Sequence, residues 1–470
     1  MVEDEPTVAG RSGSVGMLSE GFALRRRAAK TAARALRSLV RVVGAGAGTS
    51  LPGLLLERID PGFLAGTIAA VPADVIVVSG TNGKTTTASM IRHILRASGA
   101  TVVGNEGGSN MTRGIWSAFL DVTNATDYVV LEVDEAVAPA IVEAVQPRLL
   151  VLTNVFRDQL DRFGETERVA ALLGRSTELL PATAGLVINA DDPLLGYAAK
   201  DRASVGFGAN IMPGQRTDAA GSEPEICPRC GEDFIYSRRT IGHLGTGHCP
   251  RCNWTCGSGG TRAQIVEARG FDGLSIEIGG CCAKLSLGGV HAAYNAAAAI
   301  VTTNELGVAT VEGCRALESF SARFGRDEVI EFPGCRAHVL LMKNPAGASA
   351  VISQACSDDR LGCAVVAVND RAADGKDVSW IWDAQFEALA GTGIPLIPSG
   401  RRAMDVALRI KYAGGNPEPA QPDVALALKQ AVARCNPGEE VAVFATYTAM
   451  LELRRAMAPR RRLRRVEALR

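Results

Sequence analysis

The residues with the clearest chemical pattern form a glycine-rich turn, Gly80-Thr81-Asn82-Gly83-Lys84-Thr85-Thr86, between a hydrophobic run and a helix-like segment. Glycines let a backbone wrap around phosphate oxygens, and the amides at a helix start point toward negative charge. Lys84 is then placed to reach nucleotide phosphates, and Thr85 to offer its hydroxyl to Mg²⁺. The turn therefore predicts a nucleotide-phosphate site, although Val78 stands where the strict G-x-x-x-x-G-K-[ST] pattern has its first glycine.

A second chemical pattern is a pair of Cys-x-x-Cys motifs, formed by Cys227 and Cys230 and by Cys249 and Cys252. Zn²⁺ prefers four soft ligands in a tetrahedron, and two such motifs supply them from two hairpins. A site closed by four cysteines is structural rather than catalytic. We therefore predict a zinc ribbon at about residues 222–260, inserted into a chain that otherwise alternates between strands and helices.

Composition limits the classes of function. The chain has 470 residues with 50 basic and 50 acidic side chains, so no global field favours nucleic acid as a partner. No apolar run is long enough for a membrane-spanning helix, and the acidic N-terminus is unlike a secretory signal. We therefore expect a cytoplasmic protein of two or three domains.

The elements that must position these groups alternate between strand and helix. Short β-branched runs such as DVIVVS, YVVLEV and GLVINAD are separated by helix-length segments. This alternation predicts an α/β fold with a parallel-rich sheet, whose ligands bind at the carboxyl ends of the strands. We expect a disordered N-terminus at 1–20, a basic helix and linker at 21–70, a nucleotide-binding domain at 71–330 and a C-terminal α/β domain at 331–470.

The basic amphipathic helix has two interpretations. The segment FALRRRAAKTAARALRSLVRVV alternates basic with apolar residues at helical spacing. Such a helix usually packs one face on its own protein; the alternative is an anionic membrane surface, which would make the protein peripheral at the inner face of the cell membrane. The Arg-rich tail is expected to be a solvated helix end, with partner or lipid contact as the alternative.

Several segments, in order along the chain, resemble the Mur ligase family, the ATP-dependent amino-acid-adding enzymes of peptidoglycan synthesis. They are SGTNGKTTT, LEVDEA, TNVFRDQLDRFGE, VINADDP, GVHAAYNAAAA and FGRDE. The resemblance implies that Lys84 and Glu132 are catalytic and that Thr85 and Glu132 hold Mg²⁺. It also implies that ATP contacts residues 80–86, and it places further nucleotide contacts at Asn189, Asn295 and Arg326.

The chain departs from that family in three ways. Gln159 stands where the family has a histidine, and the segment TERVAALLGRSTELL lacks the lysine that many members carbamylate to hold magnesium. Only about 70 residues precede the phosphate loop, so we expect no domain that reads a UDP-sugar. These departures leave the number of Mg²⁺ ions open.

One branch of the family is resembled more closely, namely the synthetase subunits of lipid II isoglutaminyl synthase. The segments that carry this resemblance are the four-cysteine ribbon, LMKNPAG, NDRAADGKDVSWIWD, SGRRAMDVALRIKYAG and TYTAMLELR. It implies ATP-dependent amidation of the α-carboxylate of D-glutamate in the lipid II stem peptide, through an acyl phosphate and ammonia. The product would be D-isoglutamine.

The same resemblance implies a partner. No cysteine of this chain sits in a nucleophile-like turn, so we expect the ammonia to come from another protein. The resemblance implies that this protein is a GatD-like class I glutaminase subunit in a heterodimer. An aspartate of this chain is expected to complete the partner's catalytic triad by orienting its histidine. We favour Asp377, with Asp374 second.

Two other functions compete with this one. A ligase of the Mur or folylpolyglutamate type would add an amino acid rather than ammonia to its carboxylate substrate. A zinc-ribbon NTPase would bind nucleic acid, but the ribbon has few aromatic residues and no basic excess. A scaffold without activity is disfavoured by the presence of both Lys84 and Glu132.

Overall fold

The computed structural model describes residues 12–43, 50–105, 109–158, 166–199, 202–212, 226–321 and 326–457. Three helices precede the first strand: α1 (Ser12–Val43), α2 (Ser50–Ile59) and α3 (Phe63–Ile68). Helix α1 begins before the expected position 21, so the segment predicted to be disordered already contains its first turns. Residues 1–11 and 44–49 lie outside the described part of the chain.

Basic side chains of α1 contact the protein's own backbone. Arg26 donates to the carbonyl of Gly66 at 2.6 Å and Lys30 to that of Val122 at 2.7 Å. Arg34 donates to the carbonyl of Leu120 at 2.6 Å, within the short helical turn Phe119–Asp121. Cations at the carbonyl ends of helices are favourable, so these residues pack α1 onto the domain. Within the described ranges no helix is long and apolar enough to cross a membrane.

A nine-stranded sheet forms the centre of the nucleotide-binding domain, in the order β12-β11-β10-β6-β5-β4-β1-β3-β2. From β2 across to β10 neighbouring strands are parallel, and β11 and β12 add an antiparallel edge. The predicted parallel-rich α/β class is therefore confirmed. The strands are β1 (Asp74–Ser79), β2 (Val102–Val103), β3 (Tyr128–Glu132), β4 (Leu149–Leu152), β5 (Gly185–Asn189), β6 (Val205–Asn210), β10 (Thr261–Ala268), β11 (Leu274–Ile278) and β12 (Cys281–Leu285).

Helices cover both faces of this sheet. They are α4 (Lys84–Ala97), α5 (Thr112–Ala118), α6 (Ala138–Val145), α7 (Thr166–Glu178), α8 (Pro193–Ala199), α9 (Gly289–Asn304) and α10 (Thr310–Glu318). Two separate apolar cores fill the spaces between helices and sheet. Every side chain of α9 from Ala292 to Thr303 is buried, because its many alanines allow close approach to β6, β10 and α4.

The cysteine-rich insertion forms a small antiparallel sheet of its own, in the order β7-β8-β9. Its strands are β7 (Ile235–Ile241), β8 (Leu244–His248) and β9 (Thr255–Cys256), and they lie between β6 and β10 in the chain.

The C-terminal domain has a five-stranded sheet in the order β13-β14-β17-β15-β16, with only β13 antiparallel. Its strands are β13 (Arg326–Phe332), β14 (Cys335–Leu341), β15 (Leu361–Ala367), β16 (Leu396–Ser399) and β17 (Glu440–Ala445). Its helices are α11 (Pro345–Cys356), α12 (Phe386–Ala390), α13 (Ala403–Tyr412), α14 (Val424–Val432) and α15 (Tyr447–Met457). This sheet begins at Arg326 rather than at the expected boundary of 331, because Pro333-Gly334 is the turn of the β13–β14 hairpin and not a link between domains.

Candidate active site

The predicted phosphate loop joins β1 to α4 at the carboxyl edge of the central sheet. Gly80 and Gly83 adopt φ of 118° and 84°, in the left-handed region that favours glycine. A Cβ atom on Gly83 would lie 2.2 Å from Oδ1 of Asn295, so this glycine also permits close packing of α9 against the loop. The backbone amides that begin α4 therefore face the space where the sequence predicts phosphates.

Lys84 is buried at the start of α4 and is held by the loop itself. Its Nζ donates to Oε2 of Glu135 at 2.7 Å and to the carbonyl of Gly80 at 2.5 Å. Burial alone would lower the pKa of Lys84, but Glu135, Asp134 and Glu132 together outweigh it and raise the pKa. The lysine is therefore a charged ammonium poised at the phosphate loop.

Glu132 and Thr85, the predicted Mg²⁺ residues, are in direct contact. The Thr85 hydroxyl donates to Oε1 of Glu132 at 2.8 Å, and the Asn110 amide donates to the same oxygen at 3.2 Å. The Asn105 amide brackets the backbone of Glu132: it accepts from the Glu132 amide at 2.8 Å and donates to its carbonyl at 2.7 Å. A hydroxyl and a carboxylate are hard oxygen ligands, so this pair fits Mg²⁺.

The segment after β4 braces the other side of the loop. The amide of Asn82 donates to Oδ1 of Asn154 at 2.8 Å, and Asn154 returns a bond to the carbonyl of Asn82 at 3.0 Å. Asn189, predicted to approach the nucleotide, is fully buried and donates instead to the carbonyl of Thr153 at 3.0 Å. The structure therefore gives Asn189 a bracing position behind the loop and not a place in the cleft.

The C-terminal domain contributes two residues that follow β14 and contact the phosphate loop. Lys343 Nζ lies 2.7 Å from Oδ2 of Asp158 and donates to the carbonyl of Thr81 at 3.2 Å. Asn344 Nδ2 donates to Oδ1 of Asn82 at 3.0 Å. Both domains therefore build the site.

A cleft between the two domains opens beside the loop. Asn295 lies in its wall and accepts a hydrogen bond from the Thr87 hydroxyl at 3.2 Å, and Lys343 of the C-terminal domain also lines the cleft. The cleft is the place the geometry offers for a nucleoside next to the phosphates. The side chain of Arg326 and all of Gln159 lie outside the described part of the chain, so their predicted contacts stay predictions.

The four predicted zinc ligands come together in the ribbon. The sulfur atoms of Cys227, Cys230, Cys249 and Cys252 all lie within 4.8 Å of one another. Burial opposes ionisation of the Cys249 thiol, but the amides of Cys252 and Arg251 outweigh it and lower its pKa to about 7. Four converging sulfurs match the ligand set of a structural Zn²⁺ site, so the residues fit that ion.

The four aspartates that follow β15 differ in their exposure and in their hydrogen-bond or ion-pair partners. Asp374 is buried and accepts from the amide of Thr448 at 2.7 Å, and Asp370 pairs with Arg401 at 2.7 Å. Asp383 pairs with Arg157 of the central domain at 3.1 Å.

Asp377 is the exposed member of this group. It accepts from the amide of Ser379 at 2.8 Å, and this bond, followed by one from the Ser379 hydroxyl, lowers its pKa. It is therefore an ionised carboxylate at the surface.

Sequence reasoning missed four polar residues of the site: Asn105, Glu135, Lys343 and Asn344. The first two follow strands β2 and β3 at the carboxyl edge of the sheet, so strand-end position was a signal that could have found them. Lys343 and Asn344 also follow a strand, but that strand lies in the other domain. Nothing in the local sequence indicates that the carboxyl edge of the C-terminal sheet lies against that of the central sheet.

Comparison with known proteins agrees with this arrangement. The model of the Mur ligase middle domain matches residues 78–218, and the model of the MurT ligase C-terminal domain matches residues 341–450. The MurT subunit of lipid II isoglutaminyl synthase (glutamine-hydrolyzing) from Staphylococcus aureus strain COL is 34% identical over 388 residues, 81% of this chain and 86% of that protein. The chain belongs to the MurT family.

Other similarities extend this result. The MurT subunit from Streptococcus pneumoniae is 31% identical over 428 residues, 89% of this chain and 94% of that protein. A pseudomurein peptide ligase type C from Methanothermus fervidus has the same fold, with a TM-score of 0.64 and 23% identity over 82% of this chain and 78% of that one. As a member of the MurT family, the chain is an ATP-dependent ligase.

Proposed function

We propose that this chain is the synthetase subunit of a lipid II isoglutaminyl synthase, which amidates the α-carboxylate of D-glutamate in the stem peptide. The observation that carries the proposal is the match to MurT subunits over most of both chains, which includes the C-terminal domain. The UDP-N-acetylmuramate--L-alanine ligases, which add an amino acid, match a smaller share, 53–57% of this chain and 44–46% of their own length.

The proposed chemistry uses the site residues as follows. A carboxylate is a poor electrophile, so the γ-phosphoryl group of ATP is transferred to it and ammonia then displaces phosphate to form the amide. Lys84 and the amides that begin α4 stabilise the charge on the transferring group. Bound Mg²⁺ supplies further charge neutralisation, and Glu132 and Thr85 are the residues that would hold it. Asn295 and Lys343 line the nucleotide cleft.

The proposed partner is a class I glutaminase of the GatD type, since the names of the relatives describe a glutamine-hydrolysing enzyme with subunits. Among the four aspartates after β15, Asp377 is the best candidate to orient the partner's catalytic histidine. Its carboxylate is exposed and is bonded by Ser379 of its own turn, whereas Asp374 is buried and Asp370 and Asp383 each pair with an arginine.

The test is an amidation assay with the purified heterodimer, ATP, Mg²⁺ and lipid II. With glutamine or with ammonium as nitrogen source, mass spectrometry should find lipid II lighter by the mass difference between a carboxylic acid and an amide. Product that contains an added amino acid instead would reject the proposal.

Asp377→Asn should abolish glutamine-dependent amidation and leave ammonium-dependent amidation intact, because the substitution keeps the size of the side chain and removes its charge. Glu418→Gln, an acidic residue of the same domain outside this loop, is the control and should change neither activity. Loss of both activities in Asp377→Asn would reject the triad role.

A further inference from the structure

The zinc ribbon has two ends with different surroundings. Around the four cysteines, the buried apolar core is small and consists of Cys227, Phe234, Cys249 and Cys256. At the other end, the β7–β8 hairpin tip inserts Ile241 and Leu244 into the main core of the central domain, together with Phe156 and Tyr294. A metal end with so few apolar residues needs the ion to fold, whereas the tip is part of the nucleotide-binding domain.

The tip contacts the segment that braces the phosphate loop. The ring of His243 lies 4.8 Å from that of Phe156, centroid to centroid, and its Nε2 lies 3.4 Å from Oδ1 of Asp192. Phe156 in turn is joined to the loop, because its amide donates to the Thr81 hydroxyl at 3.1 Å and that hydroxyl donates to its carbonyl at 3.3 Å.

A second path leads from the ribbon to the nucleoside side of the cleft. The Thr240 hydroxyl and the Tyr294 hydroxyl are 2.5 Å apart, and Tyr294 donates to Oδ2 of Asp191 at 2.7 Å. Tyr294 immediately precedes Asn295, which lines the cleft. The backbone amide of Gly245 in the ribbon also donates to the carbonyl of Asp191 at 2.9 Å.

From these contacts we propose that the ribbon supports the nucleotide site and that His243 is a positioning residue, which holds Phe156 in place against the phosphate loop. Zinc fixes the metal end of the β7–β8 hairpin, and the hairpin tip fixes Phe156 and Tyr294. Those two residues set the positions of Thr81 in the phosphate loop and of Asn295 in the wall of the cleft. Zinc binding and nucleotide binding are therefore coupled, although the cysteines are not part of the cleft.

The first test measures this coupling in the full-length chain without substitutions. Linkage requires that zinc raise nucleotide affinity by the same factor by which nucleotide raises zinc affinity. We expect chelator-treated protein to bind Mg-ADP at least about fivefold more weakly by calorimetry, and Mg-ADP to slow transfer of zinc to a chromophoric chelator. Equal Mg-ADP affinity with and without zinc, in protein that remains folded by circular dichroism, would overturn the proposal.

The second test uses His243→Ala, which removes the imidazole ring that packs against Phe156 and leaves the four cysteines unchanged. We expect full zinc content, weaker Mg-ADP binding by about fivefold or more, and loss of the effect of nucleotide on zinc transfer. His243→Phe keeps a ring against Phe156 and should recover most of the affinity, and Ile235→Ala, at an exposed position of the same hairpin, is the matched control. Normal Mg-ADP affinity in a zinc-loaded His243→Ala protein would contradict the proposal. Neither test uses lipid II or glutamine, so its outcome is separate from that of the proposed amidation.

Discussion

Lys343 offers the sharpest test of how the two domains make one site. Its ammonium bridges Asp158 at 2.7 Å and the carbonyl of Thr81 at 3.2 Å, so it is the cation that the C-terminal domain brings to the phosphate loop. In Lys343→Ala both bonds disappear. Asp158, whose Oδ1 is buried with no hydrogen-bond partner among the residues that the structure describes, then faces the loop without its counter-ion.

The size of the effect follows from the exposure of the lysine. Hydrogen bonds to charged groups contribute about 1.5–3 kcal/mol, and the Lys343 side chain is 32% exposed, so we take the lower end. A loss of about 1.5 kcal/mol corresponds to roughly tenfold in an equilibrium constant. We therefore expect Mg-ADP to bind about tenfold more weakly to Lys343→Ala, since the nucleotide phosphates lose a cation and gain an unpaired carboxylate beside them.

Isothermal titration calorimetry with Mg-ADP measures this directly, and it needs neither lipid II nor glutamine. Lys429→Ala, which removes an exposed lysine from α14 of the same domain, is the control and should bind normally. In the double variant Lys343→Ala/Asp158→Asn the affinity should recover in part, because the uncompensated carboxylate is gone. An affinity for Lys343→Ala within about twofold of the parent protein would refute the reasoning.

Three further predictions test the phosphate loop, the support of Glu132, and the ion pair between Asp358 and Arg360 elsewhere in the C-terminal domain. Gly83→Ala should abolish Mg-ADP binding in calorimetry, because its Cβ would lie 2.2 Å from Oδ1 of Asn295 and its φ of 84° strains an L-residue. Asn105→Ala should lower the free energy of unfolding, measured with denaturant, by about 2 kcal/mol, since the buried amide and carbonyl of Glu132 lose their partner. For Asp358, burial raises the pKa, but hydrogen bonds, chiefly from Arg360, outweigh it and lower the pKa to about 2. A lowered pKa stabilises the fold above the unfolded value of about 3.9 and loses that stabilisation as pH falls toward 2. The difference in thermal midpoint between the parent protein and Asp358→Asn should therefore be full at pH 5 and shrink toward pH 2, and a constant difference would contradict the assignment.

Much of the fold was predictable because buried parallel strands leave a strong local signal. The runs DVIVVS and YVVLE are β-branched and apolar, and they became neighbouring strands β1 and β3 with the phosphate loop at their carboxyl edge. The four cysteines were predictable for a similar reason, since metal chemistry fixes both the residue type and the spacing.

Contacts between distant segments were not predictable in the same way. Asn189 is the last residue of β5, at the carboxyl edge of the sheet where ligand-binding residues are expected. It is nevertheless fully buried behind the loop, where it donates to the carbonyl of Thr153. The pairing of β13 with β14 was not predictable either, because the composition of Pro333-Gly334 indicates a turn without showing which strands it joins. The roles of Lys343 and Glu135 depend on packing that no local pattern encodes.

One sheet of the C-terminal domain holds both the phosphate-loop contact of Lys343 and the carboxylate proposed to meet the glutaminase. Lys343 follows β14, and the loop that contains Asp377 follows β15, and both strands end at the same edge of their parallel sheet. Parallel strands bring loops from different parts of the chain to one edge, so a single rigid sheet positions both the phosphate contact and the exposed carboxylate. Arg157 joins them, because it pairs with Asp383 at 3.1 Å and its charge contributes to the low pKa of Asp377. Since Arg157 immediately follows Phe156, whose amide donates to the Thr81 hydroxyl, two adjacent residues contact the phosphate loop on one side and the Asp377 loop on the other.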